Sequence, residues 1–214
     1  DEEILAELVG VGLRHVLIGA ESAHDPDIRL FAKKTTTPQV EAAIRLLRRQ
    51  GVDCSVGFIN FQPLSTLAGI DANLAFLARN AIAQVRTVTN RLELYPGAPL
   101  LAYFARHGVS LHADRYRVGY AFADPAVRHL YDGTRAALAA FGPVERSWAA
   151  TRFHAAGAET RSPEQVMALH AGTNALSTAV AGVAAACLAA VRDAGTEADF
   201  APIGARAVDE AARL

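Results

Sequence analysis

The chain has 214 residues, 51% of them hydrophobic, enough for one sizeable core or one domain with an appendage. Its 21 basic and 22 acidic residues leave a net charge of −1, which gives neither the basic footprint of a nucleic-acid binder nor a polybasic membrane patch. The two cysteines, Cys54 and Cys187, have no metal-ligand spacing and form no disulfide framework, and they suit a reducing cytoplasm.

Position 1 is Asp and no signal peptide follows, so the expectation is a chain that begins inside a longer one. Asp1 to Val11 reads as the end of a helix, with Ile4, Leu5, Leu8 and Val9 at helical spacing and Gly10 and Gly12 closing it. His15 to Ala20 is a short apolar run that ends in Glu21-Ser22, hence a buried strand. Asp25 to Lys33 predicts a short helix with Pro26 in its first turn. Thr37, followed by Pro38, predicts the cap of a helix that runs to Gln50 and stops at Gly51, with Val40, Ala43, Ile44 and Leu47 on one face. Cys54 to Phe61 is the second strand, and Ser65 to Asn80 a helix with Leu67, Ile70, Leu74 and Leu77 inward. Gln84 to Leu94 reads as a third strand, and Pro99 to His107 as a helix stopped by Gly108.

This alternation predicts an α/β fold with parallel strands over residues 1–108. Three β-α units cannot close a barrel that needs about eight strands. The first strand therefore wants a neighbour, supplied by missing N-terminal sequence or by a partner chain. After about Ser110 the helical signals dominate: Pro125 to Phe141, Val144 to Ala156, Ser162 to Ala194 and a last piece near Ala205 to Leu214. Residues 109–214 read as a helical C-terminal region, with a polar break at Asp193 to Asp199. Ala171 to Val191 holds no charged residue, but its alanines, glycines, Thr173, Asn174, Ser177 and Thr178 favour a tightly packed core helix over a membrane span.

Ligands of parallel α/β arrays bind at the carboxyl ends of the strands. The first predicted strand ends in Gly19-Ala20-Glu21-Ser22, the second in Gly57-Phe58-Ile59-Asn60-Phe61-Gln62-Pro63, and the third in Arg91-Leu92-Glu93-Leu94-Tyr95-Pro96-Gly97. Alternation puts Phe58, Asn60 and Gln62 on one face of the second strand and Arg91, Glu93 and Tyr95 on one face of the third.

At these ends the chain resembles the radical S-adenosylmethionine (radical SAM) enzymes. Gly19-Ala20-Glu21-Ser22 with Lys33-Lys34-Thr35 matches the family's strand end G-x-E-S and its Lys-Thr turn. Gly57 to Thr66 aligns with G-F-I-x-G-x-P-G-E-T, and Tyr95 to Leu100 with Y-P-G-T-P-L. Phe61 stands where the family has Gly, and Leu64-Ser65 where it has Gly-Glu. Order and spacing fit the cobalamin-dependent and tRNA-modifying branches best.

The resemblance implies a partial (β/α) barrel of radical SAM type, its C-terminal half lying in residues 1–108. It implies S-adenosylmethionine and a [4Fe–4S] cluster as cofactors, with cobalamin in one branch, and a small-molecule or biosynthetic-intermediate substrate. The cluster's CxxxCxxC motif is absent from this sequence and is expected on another segment, so no metal ligand is assigned here. Glu21 would then hydrogen-bond the ribose or amino group of SAM, with Ser22 assisting. The backbone around Ile59–Phe61 would flank the adenine, Asn60 and Gln62 are cofactor-binding candidates, and Arg91, Glu93 and Tyr95 would reach cofactor or substrate. No catalytic residue is assigned.

Plainer roles exist for each. Glu21 can cap the next helix or pair with Arg29 or Lys33, Ser22 can be a turn residue, and Asn60 and Gln62 ordinary strand-end residues. Arg91 and Glu93 can be a structural ion pair, and Tyr95 a turn former. Tyr116, Tyr120, Trp148 and Phe153 suit either a pocket or a core. Two readings follow: part of an enzyme that cleaves SAM reductively, or a truncated barrel that serves as a non-catalytic scaffold or partner module.

Overall fold

The computed structural model describes residues 2–157 and 162–214. In chain order the elements are α1 (Glu2–Gly10), β1 (His15–Glu21), α2 (Asp25–Leu30), α3 (Thr37–Arg49), β2 (Asp53–Phe58), α4 (Leu67–Arg79), α5 (Val85–Thr89), α6 (Pro99–Arg106), β3 (Leu111–Ala113), β4 (Val118–Tyr120), α7 (Pro125–Ala137), α8 (Phe141–Gly157), α9 (Pro163–Ala194) and α10 (Ala201–Ala211).

β1 and β2 pair in parallel, with His15 opposite Asp53, Leu17 opposite Ser55 and Gly19 opposite Gly57. One face of this sheet is apolar. Ala20, Val56 and Phe58 are buried there with Val40 and Ile44 of α3 and Ile70, Leu74 and Leu77 of α4. Phe58 stacks on Phe76 at 5.8 Å between ring centroids. The other face, His15, Leu17, Gly19, Ser55 and Gly57, is bare, and Leu17 is 66% exposed.

The helices form where local chemistry favours them. In α3 the cap is Thr36, one residue before the expected Thr37: the Gln39 side chain accepts from the Thr36 N–H at 2.8 Å. Val40, Ile44 and Leu47 give α3 its buried stripe. In α4 the Thr66 hydroxyl accepts from the Gly69 N–H at 3.1 Å. The charge-free stretch lies within α9, where Leu176, Val180, Val183, Cys187, Leu188 and Val191 are buried in the main core. A 31-residue part of α9, Met167–Glu197 with its continuation, is long and apolar enough to cross a membrane, yet 56% of its most apolar window is buried within the fold. The main core joins both halves of the chain, since α9 packs on α4, α7 and α10.

Two expectations need correction. The third strand, Gln84 to Leu94, is not a strand, and among the described residues no barrel closes. Its first half is α5, and only Arg91 and Leu94 make isolated bridges, Arg91 in parallel with Phe61 and Leu94 antiparallel with Val118. The β-branched run Val85 to Thr89 bends into a helix because its own hydroxyls satisfy the backbone. Thr87 Oγ1 accepts from the Gln84 N–H at 2.9 Å, and Thr89 Oγ1 donates to the Val85 carbonyl at 2.6 Å. The Glu145 carboxylate of α8 then accepts from the Val85 N–H at 2.5 Å. The second correction is in the C-terminal region, which opens with a short antiparallel hairpin, β3–β4, before its helices.

Candidate functional site

The ends of β1 and β2 carry a dense polar cluster. β1 ends in a bulge between Gly19 and Glu21, and Glu21 adopts φ 63°, a left-handed conformation uncommon for a residue with a side chain. That kink places the Glu21 carboxylate 2.9 Å from Lys33 Nζ, directly over Gly19. A Cβ on Gly19 would come within 2.9 Å of Glu21 Oε1 and 3.2 Å of Lys33 Nζ, so a larger residue there would make the ion pair shift.

Behind this pair the polar groups bind one another. Ser22 Oγ donates to Asn73 Oδ1 at 2.9 Å, and the Ala23 N–H donates to the same oxygen at 2.8 Å. Ser22 Oγ also accepts from the His24 N–H at 3.1 Å. Gln62 Nε2 donates to Asp27 Oδ1 at 3.2 Å, while its Oε1 accepts from the Leu64 N–H at 2.8 Å. Ser22, Asp27, Gln62 and Asn73 are all buried. The His24 ring sits against Gly69 of α4, where a Cβ would approach Nδ1 to 2.9 Å. His24 Nδ1 lies 3.3 Å from Asp27 Oδ2 without hydrogen-bond geometry.

Asn60 is also buried. Its Nδ2 donates to the Val88 carbonyl at 2.7 Å, and its Oδ1 has no partner. Phe61, at the family's glycine position, turns into the core and meets Tyr131 edge-on at 5.1 Å. Arg91 stands apart from Glu93. Its guanidinium lies 4.2 Å from the Tyr120 ring centroid, 5.2 Å from Phe122 and 5.6 Å from Tyr131, and Nη2 donates to the Tyr120 carbonyl at 3.1 Å. Burial raises the Tyr120 hydroxyl pKa, and the Arg91 charge opposes that rise. Glu93 is exposed, accepts from the Tyr95 hydroxyl, and lies 3.5 Å from Arg117 Nη1. The bond to Glu93 holds the Tyr95 phenol above its ordinary pKa.

The structure therefore gathers Ser22 and Gln62 into one network, with Glu21 beside it, and keeps Glu93 and Tyr95 at the surface. The sequence reading missed Asp27 and Asn73. The signal for Asn73 was present: it lies on the same stripe as Ile70, Leu74 and Leu77, a polar residue on an apolar face. Of the expected pocket aromatics, Tyr116 is exposed, Tyr120 packs on Arg91, and the Phe153 side chain lies outside the described residues.

The residue types fit the implied cofactors unequally. Glu21 Oε1 is an acceptor suited to the hydroxyl and ammonium donors of SAM, beside a stretch of sheet where Gly19 and Gly57 carry no side chain, whereas the unpartnered Asn60 Oδ1 is enclosed in the core. The iron–sulfur cluster does not fit this chain. Two cysteines cannot supply three thiolates, and among the described residues no three of His, Cys, Asp and Glu converge.

No family model matches the sequence, and no curated protein matches it. Solved structures do. The cobalamin-dependent S-adenosylmethionine radical enzyme OxsB with aqua-cobalamin bound superposes with a TM-score of 0.67 at 14% identity, over 99% of this chain and 39% of that one. The same enzyme with aqua-cobalamin and S-adenosylmethionine gives 0.62 at 15% identity, over 98% and 37%. Its apo form gives 0.64 at 15% identity, over 99% and 38%. This chain thus has the fold of a portion of a cobalamin-dependent radical SAM enzyme and spans less than two-fifths of that enzyme's length.

Proposed function

We propose that this chain is the C-terminal half of a radical SAM barrel with its helical extension, and that the complete protein cleaves S-adenosylmethionine reductively to act on a small-molecule substrate. The observation that supports this most is the fold likeness over 99% of the chain, with the three family motifs falling in order at the end of β1, from the end of β2 onward, and into the start of α6. In this reading Glu21 holds SAM, its carboxylate exchanging part of its Lys33 contact for the cofactor's donors. The cluster, when bound elsewhere in the protein, supplies the electron for cleavage. Cobalamin would also be held outside this chain.

A second reading has an observation of its own. Ser22, Gln62 and Arg91 already spend their hydrogen bonds and charge within the fold, as a non-catalytic scaffold or partner module would. The two separate by experiment. Extend the coding sequence to include any upstream segment with CxxxCxxC, purify the product anaerobically, reconstitute iron and sulfide, and assay SAM cleavage to 5′-deoxyadenosine. The enzyme reading expects cleavage by the extended protein, reduced at least tenfold in KM or rate by Glu21→Gln, and none by residues 1–214 alone. A fully loaded extended protein that leaves SAM intact overturns it.

A further inference from the structure

Two open spaces beside the helices lie away from the strand ends, around the junction of α8 and α9. One cavity of about 380 Å³ is lined by Gln84, Arg86, Glu145, Arg146, Trp148 and Leu176, among others. A neighbouring cavity of about 530 Å³ shares Trp148 and Leu176. The first lies within the size range of small-molecule sites, about 300–1,000 Å³.

Its indole wall is fixed. Trp148 Nε1 donates to Thr173 Oγ1 at 3.2 Å, and the ring's far edge rests on Gly172, where a Cβ would come within 2.5 Å of Cη2. Two arginines and one carboxylate, Glu145, line the cavity, so basic charge is in excess. Arg86 and Arg146 are both exposed, and neither has an acidic side chain within 4 Å among the described residues. The acid nearest in sequence to Arg146, Glu145, is half-buried and accepts the Val85 N–H, so its oxygen is committed to the backbone. Apolar wall, locked indole and two exposed guanidiniums, Arg86 close enough to Glu145 to act on its charge, form a complementary set. An aromatic face stacks on indole, and a carboxylate or sulfonate pairs with arginine through charge-assisted hydrogen bonds.

We propose that this cavity binds a small planar aromatic anion, with its ring against Trp148 and Leu176 and its acidic group met by Arg86 and Arg146. The site is independent of the SAM reading, since it uses none of the residues at the strand ends.

The test uses the whole 214-residue chain and anilinonaphthalene sulfonate, a fused aromatic ring with one permanent anion. Trp148 is the single tryptophan, so its emission reports on the two cavities it lines, of which only the first is also lined by Arg86 and Arg146. One equivalent of probe is expected to quench Trp148 and to emit by energy transfer from it. In Arg86→Ala/Arg146→Ala the affinity falls about tenfold or more. Phenylnaphthylamine, the same rings without the sulfonate, binds both proteins equally. Both arginines are exposed, so the variant is expected to fold, and Arg86→Lys/Arg146→Lys keeps most of the affinity and controls for packing. Equal sulfonate affinity in the parent and the double-alanine variant, or bound probe without energy transfer from Trp148, overturns the proposal.

Discussion

The strand ends and the Trp148 junction handle polarity in opposite ways. At the strand ends the polar side chains are bound to one another, Ser22 to Asn73 and Gln62 to Asp27 in the interior and Glu21 to Lys33 at its half-exposed edge. At the junction they are turned outward around open volume, with Arg86 and Arg146 unpaired and Trp148 held between cavities. Residues that a motif singles out are thus the ones most tied into the fold. Residues that no motif names have the freedom to meet a ligand. A polar cluster at a strand end can be a site, a scaffold, or a scaffold that partly opens for its cofactor, and the strength of its internal bonds decides among these.

Four substitutions measure that contrast. The largest effect is expected from Asn73→Leu, which removes the oxygen that accepts from both the buried Ser22 hydroxyl and the Ala23 N–H. Urea unfolding should show a loss of about 3 kcal/mol. A loss below about 1 kcal/mol would mean that the network does not hold the strand ends. Gly172→Ala comes next. Its methyl would press on Trp148, lowering stability by about 1–3 kcal/mol. Tryptophan emission should shift in the same variant, because the indole must move.

Arg91→Ala removes a guanidinium from three aromatic rings and from the Tyr120 carbonyl, and about 1–2 kcal/mol should go with it. Lysine should restore little, since it lacks the planar fork. Smallest at neutral pH is Glu145→Gln, because the amide oxygen still accepts from Val85. Its signature is in the pH profile. Burial raises the Glu145 pKa above the ordinary carboxylate value of 4.5, the Val85 bond and Arg86 opposing. The folded state therefore binds the proton more tightly than the unfolded chain. The stability from this group is full below 4.5 and is lost as pH rises through the folded pKa. Chemical denaturation across that window should show a falling component that Glu145→Gln abolishes, and an unchanged slope would place the carboxylate in solvent.

Much of this was legible because it is local. Pro38 and the spacing of Val40, Ile44 and Leu47 announce α3, and the apolar run from His15 announces β1. The cap one residue early, Thr36 for Thr37, is the ordinary uncertainty of a helix end. What was illegible depends on distant partners. Val85 to Thr89 has the composition of a strand, and its backbone is recruited into a helix by Glu145, a residue from α8. The hairpin β3–β4 is only three residues on each side and has too little periodicity to register. The candidate residues were found by motif, but their partners were not. Ser22 is explained by Asn73, fifty-one positions on, and Gln62 by Asp27.

The bare face of the β1–β2 sheet has a practical consequence. Among the described residues β1 pairs only with β2, and Leu17 on that sheet, with Ile4, Leu8 and Val11 on and just after α1, is exposed. An unpaired edge flanked by oily side chains is adhesive. Purified by itself, the chain should run as a monomer only when dilute, and light scattering should rise with concentration. Leu17→Lys places a charge in the middle of that edge strand, touches none of the buried core, and should suppress the rise.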